Sequence, residues 1–396
     1  MRIKRSIFLL IFVCLSALAK GQTPLPPGVV VDHISQETGK YIGSPGLCIL
    51  PNGDYLASHD EFGPKSTENS SAQTYIFLSK DRGKSWKRIA QIDGQFWSNL
   101  FVHEGKAYIM GTNKGHGNLI IRRSNDGGYT WTIPYKPENG LILEGEYHTA
   151  PVPMVIHRGR IWRAIEYATA PTTAWGKRYS PMMISAPVHS DLLNAKNWRK
   201  TNYLPYDSTY LNGYFSAWIE GNAVVDPDGN VVDILRVNGS RFTQEHAAIV
   251  KISRNGKKAT FDPRTGFIDL PGGGKKFTIR YDEKSKRYWM LSNYVKPELQ
   301  YDIKRAFGIR NTQALCSSPD LRNWTVHKIV LDHPERWHHA FQYVEWQFDG
   351  DDIIFLSRTA YDDDTGGAHS SHDANYLTFH RIRNFRDFMQ DSIRHP

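Results

Sequence analysis

Cysteine is scarce in this chain, with three residues in 396, and one of them, Cys14, lies in an apolar N-terminal run. A chain of this size can hold its core without disulfides, so Cys48 and Cys316, each in a strand-like run, read as small buried apolar side chains. Helical periodicity is nearly absent as well. No stretch beyond the N terminus approaches a membrane span, and the basic residues are scattered, which disfavours nucleic acid as a partner.

The N-terminal run has its own explanation. Arg2, Lys4 and Arg5 precede apolar residues from Ile7 to Leu18, and Ser16 to Gln22 supplies small residues for cleavage. This is the pattern of a secretory signal peptide over residues 1–21, followed by one domain over 22–396 with no visible linker. Cys14 lacks the small residues that a lipoprotein signal places just before its cysteine. The expectation is a soluble monomer, secreted or periplasmic. Cleavage removes Arg2, Lys4, Arg5 and Lys20, lowering the formal charge from +9 by four, to +5. Such mild basicity suits an anionic ligand without identifying it.

What the chain has in quantity is aromatic residues and glycine. With 20 Tyr, 18 Phe, 11 Trp and 32 Gly, short β-rich runs alternate with Gly, Pro, Asn and Asp turns, which argues for an all-β domain. One stretch repeats: Ser79-Lys-Asp-Arg-Gly-Lys-Ser-Trp86 returns as Ser124-Asn-Asp-Gly-Gly-Tyr-Thr-Trp131, each after an apolar run and with tryptophans 45 residues apart. A period in that range marks repeated supersecondary units. Asp81 and Asp126 can accept from N–H groups of their own turn, Gly83 and Gly128 can take positive φ, and Trp86 and Trp131 can pack between units. Weaker copies run from Ser190 to Trp198 and from Ser318 to Trp324. The repeat resembles the Asp box of sialidase-type β-propellers, which is structural and carries no chemistry.

A propeller blade has four strands, and one face of the disc carries the loops that enter the inner strands and join the second strand to the third. Val29 to Asp32 is expected to close the ring beside the last blade, and Tyr376 to Arg383 to be the last strand. The segment from Ala247 to Leu270 resists counting, so the expected fold is a seven-bladed β-propeller with six blades as the alternative. His59, Asp60, His116, Asn118, His148, Tyr167, Lys177, Arg178, Tyr210, Tyr214, Trp218, Glu220 and Arg236 gather on one face. Arg241 and His246 read as surface. Aromatics with Arg, His and carboxylates at a propeller mouth suit an anionic carbohydrate, because sugar faces stack on rings and a sugar carboxylate matches a guanidinium fork. His59 and His148 follow strand ends and read equally well as structural histidines.

Sialidase chemistry is not the leading expectation, since the chain lacks the Arg-Ile-Pro segment of that fold and shows no evident Tyr-plus-Glu nucleophile. Longer stretches, among them Tyr41-Ile-Gly-Ser-Pro45, Ala57-Ser-His-Asp60, Tyr147-His-Thr-Ala-Pro-Val-Pro153, Glu220-Gly-Asn222, Phe341-Gln-Tyr343 and Ser357-Arg-Thr-Ala-Tyr-Asp362, are similar to the seven-bladed propellers of glycoside hydrolase family 145 and the related rhamnose–glucuronate and ulvan lyases. The resemblance spans nearly the whole mature chain. It implies a plant or algal acidic polysaccharide with L-rhamnose linked α-1,4 to a uronate, as in arabinogalactan, gum arabic or ulvan. It implies β-elimination first and hydrolysis by an α-L-rhamnosidase second, with a non-catalytic glycan binder as the third reading.

Elimination needs a cation on the uronate carboxylate, a base for the C5 proton and a donor for the departing oxygen. On this resemblance His116 is the expected base, Arg178 the carboxylate clamp, and Tyr214 or Tyr167 the donor, with His59, His148, Trp218 and Arg236 contacting substrate. Gln95-Phe-Trp-Ser98 carries no histidine where the lyases have a second one, leaving His59 or His148 for that role. Hydrolysis by two carboxylates would draw on Asp60 and Glu220. Cys316, His339, His369 and His372 are candidates for a structural Zn2+, and the resemblance adds a Ca2+ in the central channel. No organic cofactor is expected.

Overall fold

The computed structural model describes residues 25–239, 245–302 and 306–393. The expected signal peptide and Arg241 lie outside them. Strands dominate, and the helical segments are short 3-10 turns. The described strands sort into six antiparallel units of four or five strands, arranged as a ring.

Unit I pairs Tyr41–Ile42 and Gly46–Ile49 with Tyr55–Phe62, followed by Gln73–Ser79 and Lys87–Asp93. Unit II is Phe96–His103, Lys106–Thr112, Gly117–Ser124 and the first part of Leu141–His148. The end of that last strand crosses over, so that Tyr147 and His148 pair with Tyr167 and Glu166 of unit III. Unit III continues with Val155–His157, Arg160–Ala168, Tyr179–Pro187 and Arg199–Lys200. Unit IV is Phe215–Val225, Val231–Gly239 and His246–Ile252, with Ala259–Thr260 and Phe267–Asp269 sharing its outer edge. Unit V is Thr278–Asp282, Arg287–Asn293, Thr312–Ser318 and Thr325–Asp332. Unit VI is Ala340–Asp349, Asp352–Ala360 and Tyr376–Ile382, with the first strand, Val29–His33, as its outer edge.

Among the described residues the sheets form six such units, the number of the alternative reading. The segment 247–270 that resisted counting supplies outer strands of unit IV. Val29–His33 pairs with Tyr376–Ile382, as expected, and joins the two ends of the chain in one sheet.

Apolar faces of neighbouring sheets fill the spaces between units. Trp289, Leu291 and Leu315 of unit V pack with Val344, Trp346, Ile353 and Phe355 of unit VI, all buried. Cys48 and Cys316 are buried free thiols, pushed up to about 12 by that burial. The repeated turns behave as their residues dictate. Asp81 accepts from the Ser85 amide at 2.9 Å and Asp126 from the Thr130 amide at 3.0 Å, while the Ser79 and Ser124 hydroxyls each accept an amide of the turn glycine at 2.8 Å. Gly83 and Gly128 take φ of 89° and 102°. Trp86 packs on Phe379 with centroids 5.4 Å apart, which links unit I to unit VI.

Gly83 is needed for more than its φ, because a Cβ there would lie 2.1 Å from the Phe379 ring. Gly53, at φ 87°, has nothing within 4 Å. Gly53→Ala is expected to cost about 1 kcal/mol for the left-handed backbone alone, and Gly83→Ala about 3 kcal/mol as overpacking is added. Denaturant midpoints of the two variants check this, and equal losses would contradict the inter-unit contact.

Candidate functional site

Three inner strands are interrupted where they converge. Their registers shift between Phe96 and Asn99, between Ile219 and Asn222, and between Gln342 and Glu345. At each shift a residue other than glycine takes positive φ: Trp97 at 48°, Glu220 at 60° and Tyr343 at 53°. A bulge re-aims the side chain it carries, and such backbone strain persists only where the surroundings impose it. All three side chains line one cavity of about 570 Å³ at the centre of the ring.

One wall of this cavity is cationic. Arg236, Arg310 and Arg358 come from units IV, V and VI, and each is about 5% exposed. Arg236 donates to Glu220 Oε2 at 2.9 Å and to the Gly274 carbonyl at 2.9 Å, and it also reaches the Tyr343 phenol. Arg310 donates to Gln342 Oε1 at 2.7 Å and to the Phe307 carbonyl at 3.2 Å, and it too reaches Tyr343. Arg358 donates to the His372 carbonyl, lies 4.3 Å over Phe62 and 4.8 Å over Tyr343, and leaves Nε buried with no partner. Burial lowers the Arg358 pKa to about 10, which still leaves it charged at neutral pH. Of the three guanidinium groups, only Arg236 has a hydrogen-bonded carboxylate among the described residues.

The carboxylates of the cavity differ in protonation. Burial opposes ionisation of Glu220, but Arg236 and Arg310 help to hold its pKa below the ordinary value. Asp60, on the second strand of unit I, is buried, and that burial raises it to about 6 against hydrogen bonds from the Ser44 and Trp97 amides. The Trp97 amide meets Asp60 Oδ2 at 2.5 Å, so the same carboxyl holds the bulge of unit II.

The opposite wall is aromatic. Trp97, Trp175 and Phe96 line it with His116 and His148, and the His148 ring lies 4.6 Å from Trp97 and 5.3 Å from Trp175. His116 Nδ1 meets the Tyr179 hydroxyl. Burial, followed by the charge of Arg178, lowers its pKa to about 4, so the ring is neutral at physiological pH.

Of the residues singled out from the sequence, His116, His148, Arg236, Asp60, Glu220 and His372 meet at this cavity. Others do not. Arg178 bonds Glu146 near the rim and is not part of the lining, so the expected clamp is replaced by deeper arginines. Tyr214 is exposed, and Tyr167 stacks on Tyr147 at 4.8 Å, so neither expected donor lines the cavity. Trp218 is in the core of unit IV, 5.1 Å from Phe261. His59 is a buried tie between unit I and the closing strand, with Nε2 on Asp32 at 2.8 Å. The expected zinc set is dispersed. Cys316 packs in the core of unit V, His339 bonds Glu335 at 2.6 Å, and His369 and His372 both bond Asp373. Among the described residues no three His, Cys, Asp or Glu side chains are arranged to hold a metal ion.

Sequence reasoning missed Arg310 and the roles of Arg358, Tyr343, Trp97 and Tyr179. The Tyr-plus-Glu placement not evident in the sequence is present here, since Tyr343 and Glu220 share Arg236. Part of the signal was visible: Tyr343 and Arg358 lie in the quoted stretches Phe341–Tyr343 and Ser357–Asp362. The pairing was not, because unit IV and unit VI meet only after the ring closes.

No family model matches the chain, and no curated protein matches it in sequence. Solved structures do match in fold. An α-L-arabinanase of Penicillium chrysogenum, in complex with arabinobiose, aligns over 90% of this chain and 98% of its own at 14% identity and a TM-score of 0.56. An α-L-arabinofuranosidase of Fusarium graminearum aligns over 92% and 98% at 13% identity and a TM-score of 0.55. A Trypanosoma rangeli sialidase, holding 2,3-difluorosialic acid as a covalent intermediate, aligns over 88% of this chain and 55% of its own at 14% identity and a TM-score of 0.54. The fold is thus the all-β propeller that these glycosidases share.

Asp60 also makes stability depend on pH. Its folded pKa, about 6, is raised above the unfolded value of 3.8, so its stabilising contribution is complete below about pH 4 and is lost as pH rises through 6. A shift of about two units corresponds to about 3 kcal/mol. Unfolding free energies from pH 4 to 8 are expected to show this loss in the wild type and not in Asp60→Asn; parallel curves would contradict the buried, protonated carboxyl.

Proposed function

We propose that the chain is an exported enzyme that cleaves glycosidic bonds at a carboxylate-bearing sugar, with the rhamnosyl-uronate linkages of arabinogalactan, gum arabic or ulvan-type glycans as its substrate class. The observation that carries this reading is the pair Arg310 and Arg358, both buried, charged and bonded only to uncharged acceptors at the cavity. A buried cation without a counter-charge is costly. A carboxylate supplies that charge in the planar form that suits a guanidinium. Trp97 and Trp175 across the cavity suit the apolar face of a second sugar, to which the 6-methyl group of rhamnose adds. The arabinobiose and difluorosialic acid held by two neighbours of the fold support a glycan partner.

For hydrolysis the parts are an acid and a nucleophile. Asp60, near 6, can give its proton to the leaving oxygen. The Tyr343 phenol, which lines the cavity with Glu220, can attack the anomeric carbon as its proton passes to the Glu220 carboxylate. The bond from carbon to the leaving oxygen breaks as the bond to the phenol forms, and water later releases the sugar.

His116 favours a second reading, β-elimination. Its neutral ring at the cavity can take the uronate C5 proton while the arginines neutralise the carboxylate and Asp60 protonates O4. The two readings differ in product, since elimination leaves a C4–C5 double bond and hydrolysis does not.

Incubation with gum arabic and with ulvan, followed by ultraviolet absorbance of the unsaturated uronate and by free rhamnose, separates them. Arg358→Met is expected to lower kcat/KM by about 100-fold while leaving the thermal midpoint equal or higher, because a buried charge without a carboxylate partner does not favour folding. Full turnover in both Arg310→Met and Arg358→Met would sink the proposal. Asp60→Asn is expected to lower turnover by at least about 100-fold and to remove the activity limb near pH 6.

A further inference from the structure

The aromatic wall of the cavity contains a hydrogen-bonded relay that neither reading above uses. His148 Nδ1 meets Glu166 Oε2 at 2.7 Å, and both side chains are buried. The His148 ring lines the cavity, and its Nε2 has no hydrogen-bond partner among the described residues. The other oxygen of Glu166, Oε1, accepts from the Gly221 amide at 3.1 Å. Gly221 follows Glu220, whose φ of 60° forms the unit IV bulge. One carboxylate therefore ties the histidine of unit III to the acid of unit IV.

A second acid lies beneath. Asp233 is buried with neither carboxyl oxygen hydrogen-bonded, and a Cβ on Gly221 would lie 2.1 Å from its Oδ1. Burial, then the charge of Glu166, raises Asp233 well above the usual carboxylate range against the pull of Arg163. Of these two acids, Asp233 is the one that burial turns towards its protonated form.

We propose that Glu166 is a positioning residue that fixes His148 as the Nδ1–H tautomer, so that the bare Nε2 faces the cavity as a proton acceptor. An ionised carboxylate can only accept, so Nδ1 must donate to it. A neutral imidazole has a single N–H, which leaves the lone pair on Nε2. The groups facing His148 are Trp97 and His116 from unit II, Glu166, Trp175 and Tyr179 from unit III, and Glu220 from unit IV. Among them only Glu166 is hydrogen-bonded to the ring. In the proton step, the substrate's bond to hydrogen breaks, its electron pair stays on the substrate, and an N–H bond forms at Nε2. Glu166 then stabilises the imidazolium. This role rests on the cavity being the catalytic site, whereas the tautomer does not.

The test uses the full chain and Glu166→Gln, whose amide can still accept from Gly221 while its NH2 faces Nδ1. Nitrogen NMR of histidine-labelled protein is expected to show His148 as Nδ1–H in the wild type and as Nε2–H in the variant. An Nε2–H wild type overturns the proposal whether or not any glycan is cleaved. With a cleaved glycan in hand, the variant is expected to lose about 100-fold in kcat, with KM nearly unchanged and the acid limb of the pH profile displaced. An unchanged kcat and profile would overturn the catalytic role. Glu166→Asp, which keeps the charge, is expected to keep the Nδ1–H tautomer, and it serves if the glutamine variant does not fold; an Nε2–H signal there counts against the proposal.

Discussion

Positive charge gathered at the centre of a protein, with too few carboxylates beside it, is the constraint on which the rest of this structure depends. Arg236, Arg310 and Arg358 converge on the Tyr343 phenol from three successive units, and Glu220 pairs with only the first. Like charges in a poorly solvated place repel one another and lose hydration. They stay because rigid neighbours hold them: Gln342 and Phe307 orient Arg310, and Phe62, Tyr343 and the His372 carbonyl hold Arg358. Under the proposed function, a site kept in this condition is pre-organised for a sugar carboxylate.

The ring architecture makes that arrangement affordable in backbone terms. Inner strands run towards a common axis, so a one-residue bulge is enough to turn a side chain from a sheet face into the central cavity. Trp97, Glu220 and Tyr343 are presented in this way, and the first two bulges are secured by a group from elsewhere. The Asp60 carboxyl holds the Trp97 amide, and Glu166 holds the amide next to Glu220. The acids that hold the bulges are thus neighbours of the chemistry, which couples the shape of the cavity to its protonation.

The fold was largely legible in the sequence because its signals are local. Alternating short strands, the paired Ser-x-Asp turns and the closing strand at Val29 depend on residues a few positions apart. The blade count was less legible, since the outer edge of unit IV is built from two short strands, Ala259–Thr260 and Phe267–Asp269, that share a partner. At the site, His116, His148, Arg236, Asp60 and Glu220 were placed on the right face by strand-end logic. The same logic chose Arg178, Tyr167, Tyr214, Trp218 and His59, which end at the rim, in stacks, in the core and in a tie between strands. Position at a strand end says which face a residue is near, but not whether its side chain points inward.

Composition and local pattern by themselves determined an all-β chain of repeated units, with buried thiols in place of disulfides and a face rich in aromatics, histidine and arginine. Only the tertiary structure decided which arginines share a cavity, that Tyr343 and Glu220 meet through Arg236, and that His148 rests on a buried carboxylate. The physical reason is that turn and strand preferences act over a few residues, whereas burial, bulge direction and the pairing of charges depend on groups up to 120 or more positions apart, such as Glu220 and Tyr343, brought together by ring closure.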